Sequence, residues 1–264
     1  MGRLAFVGLG LGDERDVSPR AREVVRRCGA IFSESYTSIL APGSLERLEQ
    51  ELERPIVRLP REAVESERPL LDALSHTSDV GFLVAGDPFA ATTHVALRLA
   101  VEKAGHSWTY LPSASVLTAV PSFLGLQHYR FGRTVSVPFP APGFAPRSPL
   151  DGIAQNREQD LHTLVLLDLR PEEKRFMTAG EALQILRERD VESTRPIPIA
   201  ELSVAVVARV GTESARAWYG PSRQLEGLNF GPPLHSIVVP ARTLHFEESE
   251  ALTRVQLSKE PARG

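Results

Sequence analysis

From Leu4 to Pro112 the chain repeats one pattern, a short apolar run followed by a stretch with apolar residues at helical spacing. A strand that passes through a helix to the next strand returns parallel, so the pattern demands a mostly parallel sheet covered by helices. LAFVGL reads as the first strand. Ser18 and Pro19 then offer an N-cap and a first-turn proline to a helix striped by Ala21, Val24, Val25 and Cys28, with Gly29 as its stop. AIFS, PIVRLP, VGFLVAG and SWTYLP read as further strands. Helices are expected across Leu45, Leu48 and Leu52, across Leu70, Leu71 and Leu74, and from Thr93 to Lys103.

The pattern loosens after Pro112. Ser115 to Phe123 reads as a helix in which Pro121 marks a kink, and TVSVPF as a strand. PFPAPGFAPRSP is too rich in proline and glycine for a core element and is expected as a loop. LHTLVLLDL, ELSVAVVARVG and LHSIVVPA read as buried strands, the last two with irregular material between them. Thr178 and Glu181 match a capping box at the head of a helix striped by Ala179, Ala182, Leu183 and Leu186. With helices sparser here, more antiparallel pairing is expected, and the reading divides the chain into an α/β domain over residues 1–112 and an α+β domain over 113–264.

Apolar residues make up 42% of the 264 and charged residues 24%, which suits a globular fold able to bury a sizeable core. The formal net charge of -3 gives no overall basic field to recruit nucleic acid or an anionic membrane. Cys28 is the single cysteine, so no internal disulfide can form, no metal site is expected, and a buried small apolar role fits it best. Acidic residues follow the first apolar run too soon for a secretory signal, and no apolar run is long enough for a bilayer; a cytoplasmic location is expected. Lysine occurs only at 103, 174 and 259, so arginine carries nearly all the positive charge, as in a heat-adapted protein or the product of a GC-rich genome.

The segments with chemical character sit just beyond strand ends, where parallel sheets build their sites. VGLGLGDERDVS places Gly8, Gly10 and Gly12 directly after the first strand, suiting either a tight turn or close backbone approach to a ligand. Asp13 stands where a dinucleotide fingerprint requires its third glycine, although Glu34 after the second strand could serve as that motif's ribose-binding acid. In LVAGDPFAATTH, Asp87 suits ribose hydroxyls or an ammonium, or else an Asx turn closed on its own backbone. His94, in the same segment, reads as structural. Ser113 and Ser115 precede a helix and either cap it or meet a polar ligand group. LLDL, ARVG and PPLHS offer mainly backbone groups together with His235, which by itself reads as a core histidine.

Taken with SESYTS from Ser33, LQHYRFGRTVSVPF, RFMTAGEAL and HSIVVPA, these segments resemble, over essentially the whole chain, the diphthine synthases, a branch of the tetrapyrrole methylase-like superfamily. The tetrapyrrole enzymes share the glycine turn and the GDP element but usually carry proline where this chain has Leu11. The resemblance implies a two-domain tetrapyrrole methylase-like fold with S-adenosylmethionine bound in the cleft between domains. It also implies a homodimer, and methylation of the amino group of 2-(3-carboxy-3-aminopropyl)histidine on translation elongation factor 2. Carried over by motif, the cofactor contacts are Leu11, Asp87, Ala90, Ser115, Val116, Leu167, Val210 and His235, several acting through main-chain atoms. Val210 stands where alanine is common, and Leu234 where proline precedes the histidine. No residue is singled out as the proton acceptor. A tetrapyrrole or another small molecule is the alternative substrate, and a nicotinamide oxidoreductase and a non-catalytic cofactor sensor are the rival classes.

Overall fold

The computed structural model describes residues 1–34, 36–144, 146–191 and 197–255. The chain forms two compact units, Met1–Val116 with Pro171–Glu173, and Leu117–Arg170 with the described residues from Lys174 onward.

In the first unit the order is β1 (Arg3–Gly8), α1 (Pro19–Arg27), β2 (Ala30–Glu34), α2 (Ser44–Leu52), β3 (Val57–Leu59), α3 (Arg61–Glu65), α4 (Arg68–His76), β4 (Asp79–Val84), α5 (His94–Lys103) and β5 (Ser107–Leu111). All the strands run parallel in one sheet of order β3-β2-β4-β1-β5. Alternation along β1 divides the core between the two faces. Ala5 and Val7 meet Val25 of α1 and Leu48 and Leu52 of α2. Leu4 and Phe6 meet Leu70 and Leu74 of α4 and Leu97 and Val101 of α5. Ser18 caps α1 as expected, its Oγ accepting from the Ala21 amide at 3.1 Å. Gly29 ends this helix by another route than a left-handed turn: a Cβ there would lie 1.8 Å from Thr77 Oγ1. Cys28 is buried, which pushes its thiol up to about 11 and makes it the inert apolar residue foreseen.

In the second unit the order is α6 (Val116–Leu124, its first residue belonging to the first unit), β6 (Val135–Val137), α7 (Ser148–Glu158), β7 (Thr163–Leu167), β8 (Leu169–Arg170), β9 (Arg175–Phe176), α8 (Ala179–Val191), β10 (Ser203–Ala208), β11 (Arg216–Pro221), α9 (Ser222–Leu225), β12 (His235–Val239) and α10 (Phe246–Val255). Its sheet, β11-β10-β12-β7-β6, is antiparallel except for the parallel pair β6 and β7. α6 continues through Pro121. The capping box forms as read, with Thr178 N–H donating to Glu181 at 2.8 Å and Glu181 N–H donating to Thr178 Oγ1 at 3.2 Å. One expectation needs correction. The stretch between β10 and β12 holds β11 and α9 and is not irregular, and the helices α7 and α10 were not read from the sequence. α7 was hidden by Pro149, Gly152 and a weakly sided apolar pattern; β11 was hidden by its edge position and its Gly220-Pro221 ending. Among the described residues no helix is long and apolar enough to cross a membrane.

One buried charge holds the second unit together at the end of the sheet where β7 begins. Glu248 of α10 is fully buried, and its carboxylate accepts from Gln127 N–H (3.0 Å), His162 Nε2 (3.0 Å), Arg130 Nη1 (2.5 Å) and His245 N–H (3.0 Å). His162 Nδ1 accepts from Ala241 N–H at 2.9 Å, so Nε2 carries the proton, and burial keeps the ring neutral. Burial alone would raise the Glu248 carboxyl, but the amides of Gln127 and His245 and the His162 ring together hold it below its ordinary range. Removing one partner of such a buried network strands the others without water, which costs about 3–5 kcal/mol. Glu248→Ala is therefore expected to lower unfolding stability by about 3 kcal/mol or more in chemical denaturation, and a loss below about 1 kcal/mol would contradict the role assigned to this carboxylate.

Candidate functional site

A parallel sheet exposes a binding crevice where neighbouring strands send their connections to opposite faces. The pair β1 and β4 meets this condition: they lie side by side, yet the loop after β1 leads to α1 on one face and the loop after β4 leads to α5 on the other. Both glycine segments singled out in the sequence emerge at this point. They clasp each other, with Gly86 N–H donating to Gly10 O at 2.7 Å and Gly10 N–H to Gly86 O at 3.4 Å. Both residues have positive φ, 82° and 78°, where an L side chain is strained. At Gly10 the space is closed as well, since a Cβ would lie 2.5 Å from that of Asp16.

Asp16 organises the first turn by accepting from the amides of Leu11 (3.2 Å) and Gly12 (2.8 Å), a task that no sequence pattern had signalled. The Leu11 side chain and the Ala114 carbonyl both lie within 4.0 Å of the position a Gly86 Cβ would take, so the loops after β1, β4 and β5 converge. Leu11, Asp87, Ala90, Ser115 and Val116 thus gather at one edge of the first unit.

Asp87 closes the Asx turn, one of the two roles read for it. Its Oδ1 accepts from Phe89 N–H at 3.0 Å, which closes the Asx turn. Its Oδ2 accepts from Tyr110 Oη at 2.5 Å and from Ser113 N–H at 3.2 Å, tying the GDP loop to the end of β5. An ionised carboxylate has about four acceptor positions, so these donors leave room for one more. Burial and the bond to Asp87 push the Tyr110 hydroxyl up to about 12, so it remains a donor. Tyr110 escaped the sequence reading because it looks like any aromatic strand residue. His94 is structural, as foreseen: its buried ring donates through Nδ1 to Pro88 O (2.7 Å) and accepts at Nε2 from Tyr36 Oη (3.4 Å). Desolvation keeps it neutral.

Glu34 is excluded as a ribose ligand of a nicotinamide enzyme. It is 3% exposed, and its carboxylate is spent on the amides of Tyr36 (2.8 Å) and Thr37 (2.9 Å) and on the Thr37 hydroxyl. Burial raises its carboxyl above the usual range.

In the second unit the remaining candidates share one edge. Ala208 at the end of β10 pairs with His235 at the start of β12, and continuing the β7–β12 register places Leu167 on the other side of His235. Val210 follows Arg209, whose φ of 53° turns the chain away and whose amide donates to Leu234 O at 2.8 Å. The His235 ring is used by the fold. Nδ1 accepts from Ala179 N–H at the head of α8 (3.2 Å), so Nε2 donates to Pro232 O (3.2 Å), and burial keeps it neutral. Leu167 and His235 therefore present main-chain groups at this edge, and the Asp168 side chain accepts from Phe139 N–H at 2.9 Å.

The family described as Tetrapyrrole (Corrin/Porphyrin) Methylases matches residues 3–226. A diphthine synthase from Methanococcus maripaludis strain C5 is 39% identical over 94% of this chain and 97% of its own. One from Methanocorpusculum labreanum is 40% identical over 95% of this chain and 98% of its own. A crystal structure of diphthine synthase superposes with a TM-score of 0.88 at 36% identity, covering 97% of this chain and 96% of that one. The glycine clasp, the GDP loop and the backbone-lined edge of the second sheet are thus features of a chain that belongs to the tetrapyrrole methylase family and, within it, to the diphthine synthases, which makes it an S-adenosylmethionine-dependent methyltransferase.

Proposed function

We propose that this enzyme methylates the amino group of 2-(3-carboxy-3-aminopropyl)histidine on translation elongation factor 2, giving diphthine in diphthamide biosynthesis. The observation that carries the substrate reading is the likeness to diphthine synthases over 94% of the chain, well beyond the glycine turn and GDP loop that other tetrapyrrole methylase relatives also have. S-adenosylmethionine supplies a methyl group already activated on a sulfonium, and S-adenosylhomocysteine is the product. The protein's work is therefore orientation and exclusion of water.

The residues present suit that cofactor chemically. The open acceptor position of Asp87 fits a ribose hydroxyl, and the Leu11 and Ala90 backbone and the Ser115–Val116 turn supply close main-chain approach. Leu167, Val210 and His235 supply the main-chain groups of the second unit. Most of these contacts need no particular side chain, which accounts for the tolerance of Val210 and Leu234 where the family favours smaller or cyclic residues. The acceptor amine must shed a proton before attack, and solvent can take it. By the same reading the enzyme is a cytoplasmic homodimer whose macromolecular partner is the factor itself.

The direct test is mass spectrometry of elongation factor 2 carrying the unmethylated residue, before and after incubation with enzyme and S-adenosylmethionine. Methyl-group mass increments confined to the modified histidine are expected. An unchanged factor alongside methylation of a corrinoid precursor would transfer the enzyme to the tetrapyrrole alternative. For the cofactor site, Asp87→Ala is expected to weaken S-adenosylmethionine binding more than about tenfold, the ~1.4 kcal/mol scale of one charge-assisted contact. Calorimetry returning the wild-type affinity would remove Asp87 from the site.

A further inference from the structure

A short antiparallel hairpin follows Asp168 directly, with Leu169 opposite Phe176 and Arg170 opposite Arg175. Like charges placed opposite each other across a ladder repel, and a fold gains nothing by keeping them unless something compensates. Phe139 fixes their geometry. The residue is 2% exposed, its amide is held by Asp168, and the guanidinium carbons of Arg175 and Arg170 stand 3.9 Å and 5.2 Å from the ring centroid. Arg170 has a carboxylate nearby, its Nε 4.0 Å from Asp168 Oδ2. Arg175 is exposed, and among the described residues its guanidinium has no hydrogen bond or ion pair. The structure thus holds a stacked, charged fork with its donors unused, beside the strand end that presents Leu167. Met177 closes the hairpin onto the same point, its amide donating to Asp168 O at 3.0 Å.

A stacked guanidinium with free donors is suited to grip a carboxylate through parallel hydrogen bonds. The acceptor residue proposed above carries a carboxylate on the carbon that bears its reactive amine. Resting on that reading, we infer that Arg175 binds the carboxylate of the acceptor residue and so selects an amino-acid-like amine over a simple one. Phe139 and the opposed Arg170 are positioning residues, the first as a platform and the second as the repulsion that keeps the fork turned outward.

The test uses the full enzyme, S-adenosylmethionine and unmethylated elongation factor 2, comparing wild type with Arg175→Gln and Arg175→Lys. Arg175→Gln is expected to raise KM for the factor about tenfold or more while kcat stays within about threefold, and Arg175→Lys to recover part of that loss. The cofactor dissociation constant and the unfolding midpoint should match wild type. A factor KM unchanged in Arg175→Gln would overturn the assignment. Cofactor affinity falling in step with KM would also overturn it, because the carboxylate gripped would then be the cofactor's own. An inactive wild type would instead sink the substrate reading, taking this assignment with it, so the two failures are told apart by which protein shows them.

Discussion

The hydrogen-bonded clasp between Gly10 and Gly86 is the constraint on which the rest of the first unit depends. It joins two adjacent strands whose connections leave toward opposite faces of the sheet. Diverging loops would ordinarily open a gap there that side chains fill. Two glycines in left-handed conformations hold the loops together by backbone alone, so what faces outward is main chain, a nearby carboxylate and small residues. Such a surface can be approached closely by a flat, polar nucleotide, and it has little dependence on side-chain identity.

Polar side chains around both strand-end edges divide into those spent on the fold and those with capacity left. Glu34, His94 and His235 belong to the first group: each is buried, and their hydrogen bonds run largely to backbone groups of neighbouring loops. Asp87 lies between the two groups, anchored by Phe89, Tyr110 and Ser113 yet with acceptor capacity to spare. Arg175 stands at the other extreme, its guanidinium oriented by Phe139 and without a hydrogen bond or ion pair among the described residues. This division explains why a methyltransferase can assign histidines and acids to architecture. The activated methyl donor asks for placement, whereas acid–base side chains are needed only where a proton is moved.

Much of this was legible in the sequence, and for physical reasons. Parallel strands buried on both faces read as continuous apolar runs, so β1, β2 and β4 were visible, and Ser18-Pro19 and the Thr178–Glu181 box announced α1 and α8. Elements whose signals are weak alone were not. α7 carries Pro149 and Gly152, and β11 sits at an edge with an exposed first residue. Motif position located the site loops but not their internal bonding, because Tyr110 and Asp16 lie on other elements or turns and reach the site only through the fold. His235 read by itself as a core histidine, but its partner, the amide of Ala179, is distant in sequence and only the fold brings the two together.

The central claim is that the clasped loops at the β1–β4 switch point receive the nucleotide through their backbone. Amide hydrogen exchange with and without S-adenosylhomocysteine tests this most directly. The account predicts slowed exchange concentrated in residues 9–12, 86–91 and 113–116. Tight binding that left those amides exchanging at their free rates would contradict it.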